Sequence, residues 1–436
     1  MTEVFSIFAQ YLIFLIIFSF PFTPKILNKT LKIERFNFNY IDAHSINLVF
    51  FLYFCLFFSF LNVDLKILFK IYLLMSCIFI LFNFKKLSFN FNKVDVLYFF
   101  VFSLIIISIF LSIAQNLKLE WDGHHWIEKV LIFFKDGLIQ NLKDVIIHPH
   151  YPHLGSYIWA LFWKNSLLEL EYFGRYFYVY FYIVSVFLIL NLLNLKNKII
   201  KLIIVLFFVL ITYEPYLLAG YQEYLIFSSL IFASRYILII NFKAPANLKL
   251  IFLILSILYT ICWFKDEGVV YFIIFSITLI LFLKNSNFSK IFFVFTIIGL
   301  LIFQYILQKY LIGIYDFPQK ISIFEVLNDV SNLKILFTKL TKIFMHCIIA
   351  FIKYPLWLII LISVFIQFFF IKKIDNYSKY FLICLFFNLT FIITIFFTFK
   401  SFDFMLRVSL DRLLFQTSGF YITLILLTLK NIKFLK

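Results

Sequence analysis

The longest polar segment of the chain, residues 116–155 in an expected outer loop over 116–171, carries the side chains best suited to chemistry. Asp122 lies there between Trp121 and Trp126, directly after an apolar stretch. Tryptophan is typical of the membrane–water interface. A carboxylate at that level can act as a general base towards a substrate that is held by a lipid. The alternative is an interfacial loop in which Asp122 is merely solvated.

A second group of charges is the run Lys265, Asp266, Glu267 and Gly268, between two apolar stretches joined by almost no loop. Charges in so tight a hairpin must face water or a polar cavity. Paired carboxylates there can hold a metal ion, bind sugar hydroxyls or share a proton. The alternative is a plain turn at the membrane surface.

The arginines form a third feature, because the chain has many lysines but only five arginines. Arg407 and Arg412 enter the last apolar stretch together with Asp411, and Arg175 opens an earlier one. Arginine binds phosphate through a bidentate fork that lysine cannot reproduce. These arginines are therefore candidates for phosphate binding, and an Asp411–Arg412 ion pair that links helices is the alternative.

A short segment with Glu214, Tyr221 and Glu223 is rich in tyrosine and carboxylate, which suits either sugar stacking or an aromatic belt. Five of the seven histidines lie in the 116–171 segment. Their spacing matches no recognised zinc pattern, so we expect them to be solvated or to contact sugar, although a divalent cation stays possible. Dinucleotide, nucleoside-triphosphate and serine-hydrolase motifs are absent.

The elements that must position these groups are membrane helices. Of the 436 residues 64% are apolar, whereas a soluble domain has about 45–50%. We expect an all-α, polytopic transmembrane bundle that forms a single domain over residues 1–436, with interfacial helices inside the 116–171 loop. The thirteen candidate spans are 4–20, 45–62, 67–83, 96–115, 172–194, 202–213, 224–240, 250–264, 268–283, 291–308, 355–371, 380–398 and 413–429.

Two shorter apolar stretches cannot be assigned directly as membrane spans, and one further segment has apolar residues at helical spacing. Residues 155–163 are too few to span a membrane, and residues 342–353 fit either a re-entrant or an additional helix. Between Trp126 and Ile139 apolar residues recur at helical spacing, which predicts an amphipathic helix on the membrane surface.

The charges predict the orientation of the bundle. Lysines crowd the short links on one side, which the positive-inside rule makes cytoplasmic, so the N-terminus is expected outside and the C-terminus inside. The same distribution explains the net charge of +17 without nucleic-acid binding. Most acidic residues fall on the opposite, outer side, which we therefore expect to be the working face.

Four of these segments together resemble bacterial membrane glycosyltransferases of the GT-C class, which use polyprenyl-phosphate sugars and include relatives of protein mannosyltransferases and aminoarabinose transferases. The segments are Trp121–Asp122, Tyr151–Gly155 (YPHLG), Lys265–Gly268 and Leu410–Leu414. The resemblance implies a GT-C-like fold in the bacterial inner membrane. It also implies transfer of a sugar from a lipid-linked donor to a glycan, lipid or protein acceptor on the periplasmic face.

The resemblance further implies that Asp122 is the general base, that Asp266 and Glu267 position a substrate, and that Arg412 binds phosphate. The substrate contacts expected in all are His124, His125, Tyr151, His153, Arg175, Glu223, Lys265, Asp266, Glu267, Arg407, Asp411 and Arg412.

Two other functions stay open. A multi-pass transporter or flippase is the first, although the chain shows no internal repeat and Arg235 is the one charge placed well inside a candidate span. An O-antigen polymerase or ligase is the second. Its arginines would be expected in a large outer loop, and the 116–171 loop has none.

Overall fold

A computed structural model describes residues 2–33, 36–83, 93–116, 119, 121–135, 138–146, 148–193, 198–214, 217–313, 331–371, 374–399 and 401–431. Every regular element in these ranges is a helix. The α-helices are α1 Thr2–Ile17, α2 Pro24–Leu31, α3 Tyr40–Phe60, α4 Leu65–Asn83, α5 Lys93–Asn116, α6 Trp121–Lys135, α7 Leu154–Lys164, α8 Glu171–Gly174, α9 Tyr176–Leu190, α10 Lys198–Thr212, α11 Glu223–Ile237, α12 Leu248–Thr260, α13 Glu267–Phe282, α14 Asn287–Ile306, α15 Leu333–Lys353, α16 Pro355–Phe369, α17 Asn376–Ile395 and α18 Phe402–Asn431.

Within the described ranges, eight helices are long and apolar enough to cross a membrane: Tyr40–Phe60, Leu65–Phe82, Leu97–Gln115, Glu171–Leu190, Asn287–Leu311, Leu333–Lys353, Asn376–Thr398 and Phe402–Asn431. Five shorter apolar helices accompany them: Phe5–Ile17, Leu202–Thr212, Leu248–Trp263, Glu267–Phe282 and Pro355–Phe369. The expectation of an all-α, multi-pass membrane protein is thereby confirmed. The stretch 342–353 belongs to a full-length helix, α15, since the apolar pattern continues from Leu333.

Helix α11 is the centre of the bundle, because every one of its residues is buried. It lies between α9 and α18. The rings of Phe227 and Phe415 stack at 5.0 Å across the α11–α18 contact. A Cβ atom on Gly419 would lie 2.5 Å from the carbonyl oxygen of Phe227, so only glycine permits this close approach. This close packing fixes the position of Glu223, the first residue of α11, relative to α18.

The helix predicted after Trp121 is present as α6, and it is amphipathic. Trp126, Lys129, Val130 and Phe133 are buried along one face. That face packs on α7 and not on lipid alone, with the rings of Phe133 and Tyr157 in edge-to-face contact at 5.0 Å. Helix α7 corresponds to the short stretch 155–163, and its residues from Leu154 to Phe162 are buried inside the protein.

Arg235 lies at the opposite end of α11 from Glu223 and forms a buried ion pair. Its Nε donates to Asp42 Oδ1 at 3.1 Å, and Asp42 is fully buried. The Tyr236 hydroxyl donates to the Asp42 carbonyl oxygen at 2.9 Å. This arginine therefore links α11 to the start of α3.

Candidate functional site at the Glu223 end of the bundle

Glu223, the first residue of α11, gathers two cations that are distant in sequence. Arg412 Nε donates to Glu223 Oε1 at 2.7 Å, and Lys265 Nζ donates to the same oxygen at 3.1 Å. Arg412 Nη2 also donates to it. Glu223 Oε2 has no hydrogen-bond partner among the described residues. We call Glu223, Lys265, Asp266, Glu267 and Arg412 the ionic cluster.

Lys265 reaches Glu223 because the chain turns sharply between α12 and α13. Helix α12 continues into the 3₁₀ turn Ile261–Trp263, and α13 begins at Glu267. A Cβ atom on Gly268 would lie 2.1 Å from the Ile261 carbonyl oxygen, so glycine is required for α13 to start so close to that turn.

The two acids of this turn have different surroundings. Glu267 lies 3.6 Å from Lys265 Nζ, whereas Asp266 Oδ2 lies 3.6 Å from His150 Nε2. Burial, and then the nearby charge of Glu267, raise the pKa of Asp266 to about 7, while Lys129 and Lys265 oppose that rise. Its surroundings thus make Asp266 easier to protonate than an ordinary aspartic acid.

Lys129 holds the backbone on both sides of His150 and so places that histidine beside the cluster. The sequence pattern did not single out this lysine. Its side chain is buried, and Nζ donates to the carbonyl oxygens of Tyr151 at 2.5 Å and Pro149 at 3.3 Å. Burial lowers the pKa of Lys129 to about 7. A signal for it existed, because Lys129 falls on the buried face of α6 together with Trp126 and Phe133.

Tyr151 and Tyr221 add aromatic faces to the cluster. Lys265 Nζ lies 6.0 Å from the centre of the Tyr151 ring, and the Arg412 guanidinium carbon lies 5.2 Å from the centre of the Tyr221 ring. Such cation–π contacts orient cationic side chains without neutralising them. The expected residues Tyr151, Glu223, Lys265 and Arg412 therefore lie together.

Asp122 is the expected general base, and its side chain lies outside the described part of the chain. The next residue, Gly123, is described. A Cβ atom there would lie 3.0 Å from the Ala219 carbonyl oxygen. The start of α6 is therefore next to the segment that carries Tyr221 and leads into α11.

Arg175 and Arg407 lie apart from the ionic cluster. Arg175 is buried, donates to Glu171 Oε2 at 2.7 Å and to the Ala114 carbonyl oxygen at 3.3 Å, and also bonds the Leu218 carbonyl. Arg407 is exposed, and its Nε donates to the Asp403 carbonyl oxygen of its own helix at 3.3 Å. In the described part of the chain, neither arginine makes a hydrogen bond or ion pair with a residue of the ionic cluster.

Asp411 does not pair with Arg412. It accepts from Lys353 Nζ at 3.0 Å and from the Tyr354 hydroxyl at 3.2 Å, whereas Arg412 turns to Glu223. Successive residues of a helix point about 100° apart, so these two side chains face different neighbours. The alternative of an Asp411–Arg412 pair is thus replaced by two separate ion pairs.

The remaining histidines differ in accessibility. His124 is exposed, and the His125 ring lies 5.4 Å from the His148 ring. His153 is buried, its Nε2 is 2.8 Å from Ser59 Oγ, and burial lowers its pKa to about 3. Among the described residues, no three His, Cys, Asp or Glu side chains are placed to hold a metal ion.

An apolar groove of about 740 Å³ runs between α3, α12 and α14. Phe57 and Phe303 line it and are more than half exposed on the surface of the bundle. At the Glu223 end it is bounded by Phe60, whose ring lies 5.7 Å from that of Trp263, two residues before Lys265. The groove therefore ends beside the turn that carries the ionic cluster.

Comparison with known proteins adds no relative to this description. The chain matches no protein-family model, no characterised protein sequence and no solved structure.

Proposed function

We propose that the protein is a membrane glycosyltransferase of the GT-C type, which transfers a sugar from a polyprenyl-phosphate carrier to an envelope acceptor. The observation that carries the proposal is the meeting of Lys265 and Arg412 at Glu223, beside the acids Asp266 and Glu267. Arg412 and Glu223 are 189 positions apart in the chain, so segments distant in sequence supply this arrangement.

The cations suit a phosphate leaving group. When the bond between sugar and phosphate breaks, negative charge develops on the phosphate oxygens, and preorganised cations near the membrane surface stabilise it. Arg412 offers a planar fork for two oxygens, and Lys265 offers a compact point charge. Glu223 supports the proposal because its buried carboxylate holds both cations at one place.

The apolar groove suits the lipid part of the donor. It is open along the side of the bundle, and a polyprenyl chain lying between α3 and α14 would lead to the Trp263–Lys265 segment. Burial of apolar chain from the bilayer gains little by itself, so the phosphate contacts would fix the depth of the carrier. Membrane lipids are the other partners expected on this surface.

The same proposal includes a GT-C-like fold with thirteen spans in the bacterial inner membrane. It also includes a working face in the periplasm and a C-terminus in the cytoplasm. The resemblance assigns the general base to Asp122.

Release of polyprenyl phosphate tests the proposal. The purified protein in liposomes is given a panel of polyprenyl-phosphate hexoses and pentoses, with native membrane extract as the source of acceptor. We expect Arg412→Lys to lower the release rate by about 10²-fold, because lysine cannot form the bidentate contact. Arg407→Lys, the same change on the same helix, should leave the rate within about twofold.

The opposite results separate the proposal from its rivals. No release from any donor, together with movement of the intact labelled lipid across the bilayer, would favour a flippase. Equal release rates for the Arg412 and Arg407 variants would show that Arg412 takes no part in the reaction.

A further inference from the structure

The ionic cluster contains three described carboxylates, and two of them are neutralised. Glu223 is bound by Arg412 and Lys265, and Glu267 is 3.6 Å from Lys265. A carboxylate held by cations is a weak base, because the cations stabilise the charged form and resist protonation. Glu223, which binds both Arg412 and Lys265, is therefore not suited to accept a proton from a substrate, and Glu267 lies beside the same lysine.

Asp266 is different in its contacts and in its exposure. Among the described residues no Lys or Arg nitrogen lies within ion-pair distance of it, and it contacts His150 Nε2 at 3.6 Å, an imidazole whose pKa burial lowers to about 4. About a third of its side chain is exposed, which leaves room for an acceptor hydroxyl. Lys265 Nζ lies 6.0 Å from the ring of Tyr151, the neighbour of His150, so a phosphate held at Lys265 would bring the sugar near Asp266.

The groups around Asp266 set its proton affinity. They are Glu267 and Lys265 from its own turn and Lys129 from α6, and His150 from the 148–151 turn also faces it at 3.6 Å. Burial and Glu267 outweigh the two lysines, and the resulting pKa near 7 suits a base that must accept and release a proton at neutral pH.

We propose that Asp266, in place of the Asp122 that the resemblance implies, is the general base of the transfer reaction, an inference that rests on the proposed glycosyltransferase function. Asp266 accepts the proton of the acceptor hydroxyl, and the acceptor oxygen forms its bond to the anomeric carbon. The bond between that carbon and the phosphate oxygen breaks, and its electron pair leaves with the polyprenyl phosphate beside Arg412 and Lys265. This direct displacement inverts the configuration at the anomeric carbon.

The pH dependence of kcat/KM provides the first test. Since the base must be deprotonated, the wild-type rate should rise with pH through about 7 and then level off. Lys129→Met removes a charge that lowers the pKa of Asp266, so the rising limb should persist and move to higher pH. Loss of the limb in Lys129→Met would instead identify Lys129 as the titrating group and overturn the inference.

Substitution of the acid provides the second test. Asp266→Asn should lower kcat by about 10²-fold or more and leave KM for the donor within about threefold, with no rising limb in the residual rate. Asp403→Asn, an exposed acid paired with Lys342, is the matched control and should behave as wild type. Monodisperse elution and an unchanged melting midpoint show that each variant is folded.

Other outcomes are equally informative. If Asp122→Asn loses kcat while Asp266→Asn keeps it, Asp266 is not the base, although the glycosyltransferase function stands. A rise in KM with unchanged kcat in Asp266→Asn makes the residue a binding group and also overturns the inference. If the wild-type protein releases no polyprenyl phosphate, both the function and the inference fail.

Discussion

Glu223 organises the site at the scale of single residues. One of its oxygens accepts from both Arg412 and Lys265, and the carboxylate is fully buried. Removing one partner of such a group leaves a buried charge unpaired, which typically costs about 3–5 kcal/mol. The sequence offered Glu223 only as a loop acid, and its place between two cations follows from the packing of α11 against α18.

Gln416, one turn beyond Arg412, provides a prediction about stability. It is fully buried, and neither amide atom has a hydrogen-bond partner among the described residues. Gln416→Leu should therefore raise the melting midpoint in detergent, because each unpaired buried polar group costs about 1–3 kcal/mol.

Gln367 is the matched control for that change. Its Nε2 donates to Thr428 Oγ1 at 2.9 Å, so Gln367→Leu should lower the midpoint or leave it unchanged. If Gln416→Leu destabilises as much as Gln367→Leu does, Gln416 has partners such as ordered water, and the prediction is wrong.

The turn between α12 and α13 is the element on which the site depends most. It places Lys265 towards Glu223 and leaves Asp266 towards His150. The run of charges predicted a turn with polar surroundings, and the helix bounds agree with that. Which acid would be paired could not be predicted, since the turn's backbone path depends on the contact between Gly268 and Ile261.

Gly268→Ala tests this close contact. The added methyl group would collide with the Ile261 carbonyl, so we expect a loss of about 1–3 kcal/mol, seen as a lower melting midpoint, and reduced polyprenyl phosphate release. Gly299→Ala is the control, because a Cβ atom there meets nothing within 4 Å in α14. Equal stability of the two variants would show that the turn is not constrained as described.

Hydropathy predicted most of the apolar helices to within a few residues, but it started the last helix at residue 413, whereas α18 begins at Phe402. It carries no information on how each helix is rotated. The pairing of Asp411 with Lys353, the burial of His153 and the enclosure of Arg175 all depend on that rotation. Lys129 was missed for a related reason. A lysine on an amphipathic helix at the membrane surface suggests solvent, whereas tertiary contacts with the carbonyl oxygens of Pro149 and Tyr151 bury it.

At the scale of the whole molecule, α11 carries a buried ionic group at each end. Arg235 with Asp42 closes one end, and Glu223 with Lys265 and Arg412 forms the other. The second lies beside the Phe60 end of the apolar groove and next to Asp266, a carboxyl group with no Lys or Arg partner in the described residues. These neighbours support the proposal of chemistry at this face over passage through the bundle.

A structure of the protein with undecaprenyl phosphate in a lipid nanodisc tests the central claim most directly. The account predicts that the phosphate lies within hydrogen-bond distance of the Arg412 guanidinium and Lys265 Nζ, with the prenyl chain in the groove between α3 and α14. A phosphate bound instead at Arg175, at Arg407 or at the Arg235 end, with the groove holding no prenyl chain, would contradict it.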